Sequence, residues 1–191
     1  MTWDPYLDLQ TGVLHNLFGI RDPKALRRVE ADFTAVRIAQ VIRNPLPGPY
    51  DLTHLRAFHR HIFQDLYGWA GELRTVSIGR GMLFSLPGHL EADAHELFAW
   101  LAREDHLRGR TRAAFVDGLT ELYADLNALH PFRDGNGRTQ RAFLGQLGGE
   151  VGHPVHWAAM DPAENNAASK AAHEGDNDAL RVLIDHLVHR R

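Results

Sequence analysis

Thr111-Arg112-Ala113-Ala114-Phe115-Val116-Asp117-Gly118-Leu119-Thr120-Glu121-Leu122-Tyr123-Ala124-Asp125-Leu126-Asn127-Ala128-Leu129 is the stretch that decides the fold. Phe115, Leu119, Leu122, Leu126 and Leu129 recur at alternating steps of four and three, which lines them along one face of a helix. No other stripe in the chain is as good, so a helix opening near Thr111 is expected at the centre of the core. On the N-terminal side, Leu90, Leu97 and Leu101 predict a helix from about Leu90 to Arg103. On the C-terminal side, helices are expected from near Arg138, after the Asp161-Pro162 cap, and around Leu180, Leu183 and Leu187.

Helical spacing continues toward the N-terminus. Asp22-Pro23 is an N-cap and first-turn pair, followed by Leu26, Val29, Phe33 and Val36. Three prolines in Asn44-Pro45-Leu46-Pro47-Gly48-Pro49 must stop that helix, because each removes a donor and clashes with the preceding turn. A second helix carries Leu55, Phe58, Ile62 and Leu66 and is expected to end near Gly68. Leu73-Arg74-Thr75-Val76-Ser77-Ile78 breaks the period: it alternates, Gly79-Arg80-Gly81 turns, and Met82-Leu83-Phe84 can return. Taken alone it reads as an ordinary surface hairpin. The fold class expected is all-α with one β-hairpin, in a single domain over 1–191.

Composition narrows the function. The chain has 191 residues, 44% hydrophobic, with a formal net charge of −3, so no global charge favours nucleic acid or an anionic membrane. Cysteine is absent, which removes disulfides, thiolate zinc sites and thiol nucleophiles, and fits a reducing compartment. No run approaches the roughly 18 apolar residues of a membrane span, and Met1-Thr2-Trp3-Asp4-Pro5 lacks the start of a signal peptide. A cytoplasmic location is expected.

The chemistry gathers directly after the central helix, in His130-Pro131-Phe132-Arg133-Asp134-Gly135-Asn136-Gly137-Arg138-Thr139-Gln140-Arg141. Pro131 disfavours helical geometry at His130, so the imidazole arrives at the end of a rigid stem with a near-neutral pKa. Gly135-Asn136-Gly137 can take positive φ and turn successive N–H groups into an anion-binding nest. The next helix adds the positive end of its dipole, and Arg138 and Arg141, three apart, share a face of its first turn. Asp134, the only carboxylate within this segment, is placed to hold Mg²⁺ against phosphate oxygens. Together these parts describe a di- or triphosphate site with a poised base. His54, His59 and His61 also lie close together, but without a carboxylate at ligand spacing they read as core or surface histidines rather than a zinc site.

The segment resembles the Fic family signature, HPFx(D/E)GNGRxxR, with every specified position filled. Phe58-His59-Arg60-His61-Ile62-Phe63 through Tyr67-Gly68-Trp69-Ala70-Gly71-Glu72-Leu73-Arg74 is similar to the family's second recognisable stretch. An N-terminal arm over 1–21, with Asp4-Pro5-Tyr6-Leu7, Gly12-Val13-Leu14, Asn16 and Gly19-Ile20, resembles its short bacterial toxin-like branch. The resemblance implies a protein adenylyltransferase that moves AMP from Mg·ATP to a Tyr, Ser or Thr hydroxyl. In it, His130 would deprotonate the hydroxyl and Asp134 would ligate Mg²⁺. Gly135, Asn136 and Gly137 would cradle the α- and β-phosphates, Arg138 would take the β-phosphate and Arg141 the γ-phosphate. Phe132 would be a buried anchor. The hairpin over 73–84 would be a flap that docks the target by strand addition through Thr75, Val76, Ser77 and Ile78. Type II topoisomerase subunits are the targets that the branch implies.

Two rivals follow from the same residues. Doc-type kinases carry Lys where this chain has Gly137, and a non-catalytic binding module would have lost His130 or Asp134. The resemblance also implies control by a glutamate, in the pattern (S/T)xxxE(G/N), paired with Arg141. Lys170-Ala171-Ala172-His173-Glu174-Gly175 nearly fits, with lysine in place of Ser or Thr; it reads as a helix end closed by Gly175. The expectation is a small helical antitoxin that brings the glutamate in trans.

Overall fold

The computed structural model describes residues 4–79 and 84–188. Among them run seven α-helices: α1 (Pro23–Arg43), α2 (Leu52–Phe63), α3 (Leu90–Arg103), α4 (Arg112–Leu129), α5 (Asn136–Glu150), α6 (Pro162–His173) and α7 (Asp178–Leu187). The caps explain several starts. Asp22 accepts from the Lys24 N–H, Thr111 from Ala114, and Asp161 from Ala163 and Glu164, each side chain satisfying donors that the first turn leaves unpaired. The α4 stripe does form the centre. Phe115, Leu119, Leu122 and Leu126 have no exposed surface, Leu129 is buried, and α3, α5, α6 and α7 all pack against α4.

Three expectations need correction. α2 ends at Phe63, and Leu66 is buried from the turn that follows rather than from the helix. The face α1 turns inward only partly matches its apolar spacing: Leu26 is buried and Val29 packs against the cluster around Ile62 and Phe63, but the rest of the expected stripe is exposed. Val36 is 58% exposed and Phe33 is also exposed, while Leu26, Thr34 and Val41 are buried. The physical reason is that α1 docks through polar contacts. Glu30 and Thr34 reach Arg138, Glu30 also accepts from the Tyr67 hydroxyl, and Arg37 pairs with Asp65 at 2.6 Å. Last, no strand occurs among the described residues of 73–84; Arg80, Gly81, Met82 and Leu83, the expected turn and return, lie outside the described residues. The two described ends are held by side-chain and long-range backbone bonds instead of a ladder. The Arg74 N–H donates to the Pro131 carbonyl at 2.9 Å and the Ser85 N–H to the Ala128 carbonyl at 3.0 Å. Isolated bridges join Leu7 to Leu14 and Val155 to Val188. No helix among the described residues is long and apolar enough to cross a membrane.

Candidate active site

α4 delivers His130 to the site. Its backbone leaves the helix in the left-handed region, at φ 43° and ψ 60°, where Pro131 on the next position blocks continuation of the helix. The ring stacks on Phe84, with centroids 4.0 Å apart and planes 12° apart. Nδ1 lies 3.3 Å from the Asn127 carbonyl. A carbonyl can only accept, so this contact places the proton on Nδ1 and leaves the Nε2 lone pair to accept another. Burial pushes the His130 pKa down to about 4, with the Arg74 charge adding to the effect and the Asn127 bond opposing it. This corrects the near-neutral expectation. The ring is neutral at physiological pH, which is the state a base requires.

The loop that follows is closed by its own side chains. Asn136 is buried, and its amide accepts from the Phe132 N–H at 2.9 Å and donates to the Phe132 carbonyl at 2.8 Å. Gly135 sits at φ 80°, and a Cβ there would meet the Phe63 ring at 2.3 Å, so both conformation and space require glycine. The expected nest of three is therefore narrower. Gly135 alone has positive φ, and α5 opens at Asn136, two residues before the expected start at Arg138. Among the described residues no side chain caps that helix, so the N–H groups of its first turn are left without a side-chain partner, and the residues that carry them line a cavity.

That cavity, of about 740 Å³, is walled by His130, Asp134, Gly135, Asn136, Gly137, Arg138 and Arg141, and also by Ser77, Ile78 and Phe84. Of the four proposed docking residues, Ser77 and Ile78 thus border it, and Thr75 and Val76 do not. The Asp134 carboxylate accepts from the Gly135 N–H through Oδ1 at 2.6 Å. Arg138 is engaged from three sides: Glu30 at 2.5 Å, the Thr34 hydroxyl at 3.4 Å, and the Phe63 ring 4.8 Å from its guanidinium carbon. Arg141 forms no ion pair among the described residues and borders both this cavity and an apolar groove beside it.

Four site residues escaped the sequence reading. Asp4 also walls the cavity and pairs with Arg133 at 2.8 Å, so Asp134 is not the sole carboxylate there. Glu30 holds Arg138, and His59 hydrogen-bonds the Asp134 carbonyl at 3.0 Å. Arg74 is buried, and its guanidinium donates to the carbonyls of His130 (2.8 Å), Val76 (3.0 Å), Leu129 (3.4 Å) and Ser85. It clamps both described ends of the 73–84 segment onto the C-terminus of α4. A lysine has no planar fork to reach these acceptors. Arg74→Lys is expected to cost about 2 kcal/mol or more through orphaned buried carbonyls, read as a lower midpoint in denaturant unfolding. The remaining histidine of note, His54, has both ring nitrogens engaged, with Leu46 and Tyr50, as a core residue does.

The family model described as the Fic/DOC family matches residues 49–147, which spans α2 through most of α5. The chain belongs to the Fic/DOC family. It is 40% identical over 182 residues to a relative named protein adenylyltransferase VbhT from Bartonella schoenbuchensis, covering 95% of this chain but only 38% of that protein. It is 34% identical over 186 residues to the probable protein adenylyltransferase Fic of Escherichia coli K12, covering 97% of this chain and 92% of the relative. Among solved structures, an N-terminal Fic domain of a putative cell filamentation protein from Bartonella quintana, with bound ADP, superposes with a TM-score of 0.91. It is 26% identical and covers 97% of this chain and 95% of that one. The all-α Fic architecture is thus shared at the level of the whole Fic domain.

Proposed function

We propose that this Fic domain is a protein adenylyltransferase in which His130 is the base and the start of α5 holds the nucleotide. The observation that carries the reading is one cavity lined by His130, the N-terminus of α5, Asp134 and Arg141, which forms no ion pair among the described residues. ATP is the substrate. Its phosphates lie against the Gly135, Asn136 and Gly137 backbone, with Arg138 and Arg141 at the β- and γ-positions. The target hydroxyl oxygen attacks the α-phosphorus and its proton passes to His130 Nε2. The bond from the α-phosphorus to the bridging oxygen breaks, and pyrophosphate leaves with its electron pair.

Asp134 fits a Mg²⁺ role, because a single carboxylate combined with phosphate oxygens is how this hard cation is commonly held. Bound there, Mg²⁺ would neutralise phosphate charge. The target is a protein, which the relatives' names support, docked along Thr75–Ile78; bacterial type II topoisomerase subunits are the candidates to try. The lack of cysteine supports a cytoplasmic setting. One domain over 1–191 accounts for this activity. Tandem mass spectrometry of a lysate protein modified by the chain is the test: adenylate on Tyr, Ser or Thr supports the proposal, and phosphate in its place assigns the Doc-like reaction.

Control in trans belongs to the same reading. Glu174 is exposed at the end of α6, where Gly175 at φ 95° closes the helix: the Gly175 N–H bonds Ala172 and the Asp176 N–H bonds Ala171. It makes no ion pair among the described residues. An apolar groove of about 710 Å³ between α1 and α5, lined by Ile38, Val41, Ala142 and Trp157, leads to Arg141. It suits an antitoxin helix carrying a glutamate. Glu174→Gly is expected to leave the rate of AMP transfer by the isolated chain unchanged within about twofold. A large gain would put the brake in α6 itself.

A further inference from the structure

We propose that His59 is a positioning residue that holds the Asp134 end of the catalytic loop in register with the root of the 73–84 segment. The inference rests on the reading of Asp134 as the Mg²⁺ ligand. His59 lies on α2, fully buried, and uses both ring nitrogens. Nε2 bonds the Asp134 carbonyl at 3.0 Å, and Nδ1 accepts from the Gly71 N–H at 2.8 Å. The carbonyl can only accept and the amide can only donate, so one neutral tautomer, protonated on Nε2, satisfies both. The ring stacks on Phe132 at 3.9 Å and 20°, and on Phe63 at 4.7 Å and 28°.

The loop needs such a fixture. Asn136 ties the loop to itself through Phe132, which sets its shape but not its place in the domain. The Arg74–Pro131 and Asp4–Arg133 contacts hold the start of the loop, and the bond from α2 to the Asp134 carbonyl fixes the peptide that carries the carboxylate. At its other edge His59 holds Gly71, at φ 84°, where a Cβ would meet the Arg60 Cβ at 2.9 Å. Gly71 lies three residues before Arg74, the clamp on the 73–84 segment. One imidazole therefore links the residues proposed to hold the metal and those proposed to dock the target.

The two bonds can be separated chemically. Glutamine reaches to the Nε2 position and can donate to the Asp134 carbonyl; asparagine reaches only to the Nδ1 position and can accept from Gly71. The experiment titrates ADP binding by calorimetry over a range of Mg²⁺ concentrations, in the parent, Asp134→Ala, His59→Gln and His59→Asn. The parent is expected to bind ADP more tightly with Mg²⁺, and Asp134→Ala to lose that dependence. His59→Asn should raise the Mg²⁺ midpoint by about tenfold, with His59→Gln within threefold of the parent. Equal midpoints for the Asn and Gln variants, beside an Asp134→Ala that behaves as expected, overturn the positioning role alone. A parent indifferent to Mg²⁺ overturns the Asp134 assignment and this inference with it. Nitrogen NMR of the parent gives a check that requires no variant to fold: a proton on Nε2 of His59 is expected, and a proton on Nδ1 in its place overturns the proposal.

Discussion

His130→Ala lowers AMP transfer by about 10²–10⁴-fold or more and leaves nucleotide affinity within about threefold of the parent. The split follows from what the side chain touches. The ring contacts Phe84 and the Asn127 carbonyl, whereas the proposed phosphate contacts come from α5 and its arginines. Calorimetric ADP binding and a transfer assay on the same preparations measure the two halves. Transfer surviving within tenfold, or about 1.4 kcal/mol of barrier, would contradict the base assignment. The pH profile adds a second reading. An imidazole held down to about 4 is deprotonated at every pH well above that value. The rate constant kcat/KM is therefore expected to be flat from pH 8 to about 5.5, where a histidine of ordinary pKa would lose about tenfold. Bound triphosphate favours the imidazolium, so the acid limb of kcat should lie at higher pH than that of kcat/KM.

Gly135→Ala is expected to lower stability by roughly 2–5 kcal/mol, the sum of a left-handed backbone and an overpacked contact. The residue sits at φ 80°, and the new methyl would be 2.3 Å from the Phe63 ring, itself fully buried on α2 and beneath Arg138. Relief must come from moving either the loop or that ring, and both carry the site. A stability of about 5–15 kcal/mol is usual for a domain, so the variant should still fold, with its thermal midpoint roughly 5–15 °C lower. Gly137→Ala is the informative contrast. Gly137 is helical, and its nearest obstacle is the movable Arg141 guanidinium at 3.1 Å, so the midpoint should stay close to the parent's. Equal midpoints for the two variants would contradict the claim that the joint between loop and helix requires glycine at 135.

Local chemistry was legible where it was self-contained. Asp22, Thr111 and Asp161 announce helix starts because a cap is settled within four residues, and the α4 stripe announces the core because its period is unbroken. The motif brings its members together because the stretch from His130 to Arg141 is one short loop and the start of α5. What escaped depends on partners far away in the chain. α1 shows only part of its inward face to a reader of apolar spacing, because Glu30 and Thr34 find Arg138 more than a hundred residues on. The 73–84 stretch alternates like a strand, yet Arg74 takes the carbonyls of α4 and of its own far end, and no period encodes that. His59 and Asp4 were likewise in view without a role, since both act on a loop that folding alone brings to them.

The central claim is that AMP, not phosphate, moves. In the proposed pose, glycine at 137 leaves room for the nucleotide to present its α-phosphorus to the hydroxyl beside His130. The most direct measurement incubates the chain and Mg²⁺ with a bacterial lysate, in parallel with ATP labelled at the α- or the γ-phosphorus. Label on a protein band from α-labelled ATP only, lost with His130→Ala, is the result expected. Label from γ-labelled ATP only would contradict the account and assign this chain the Doc-like kinase reaction.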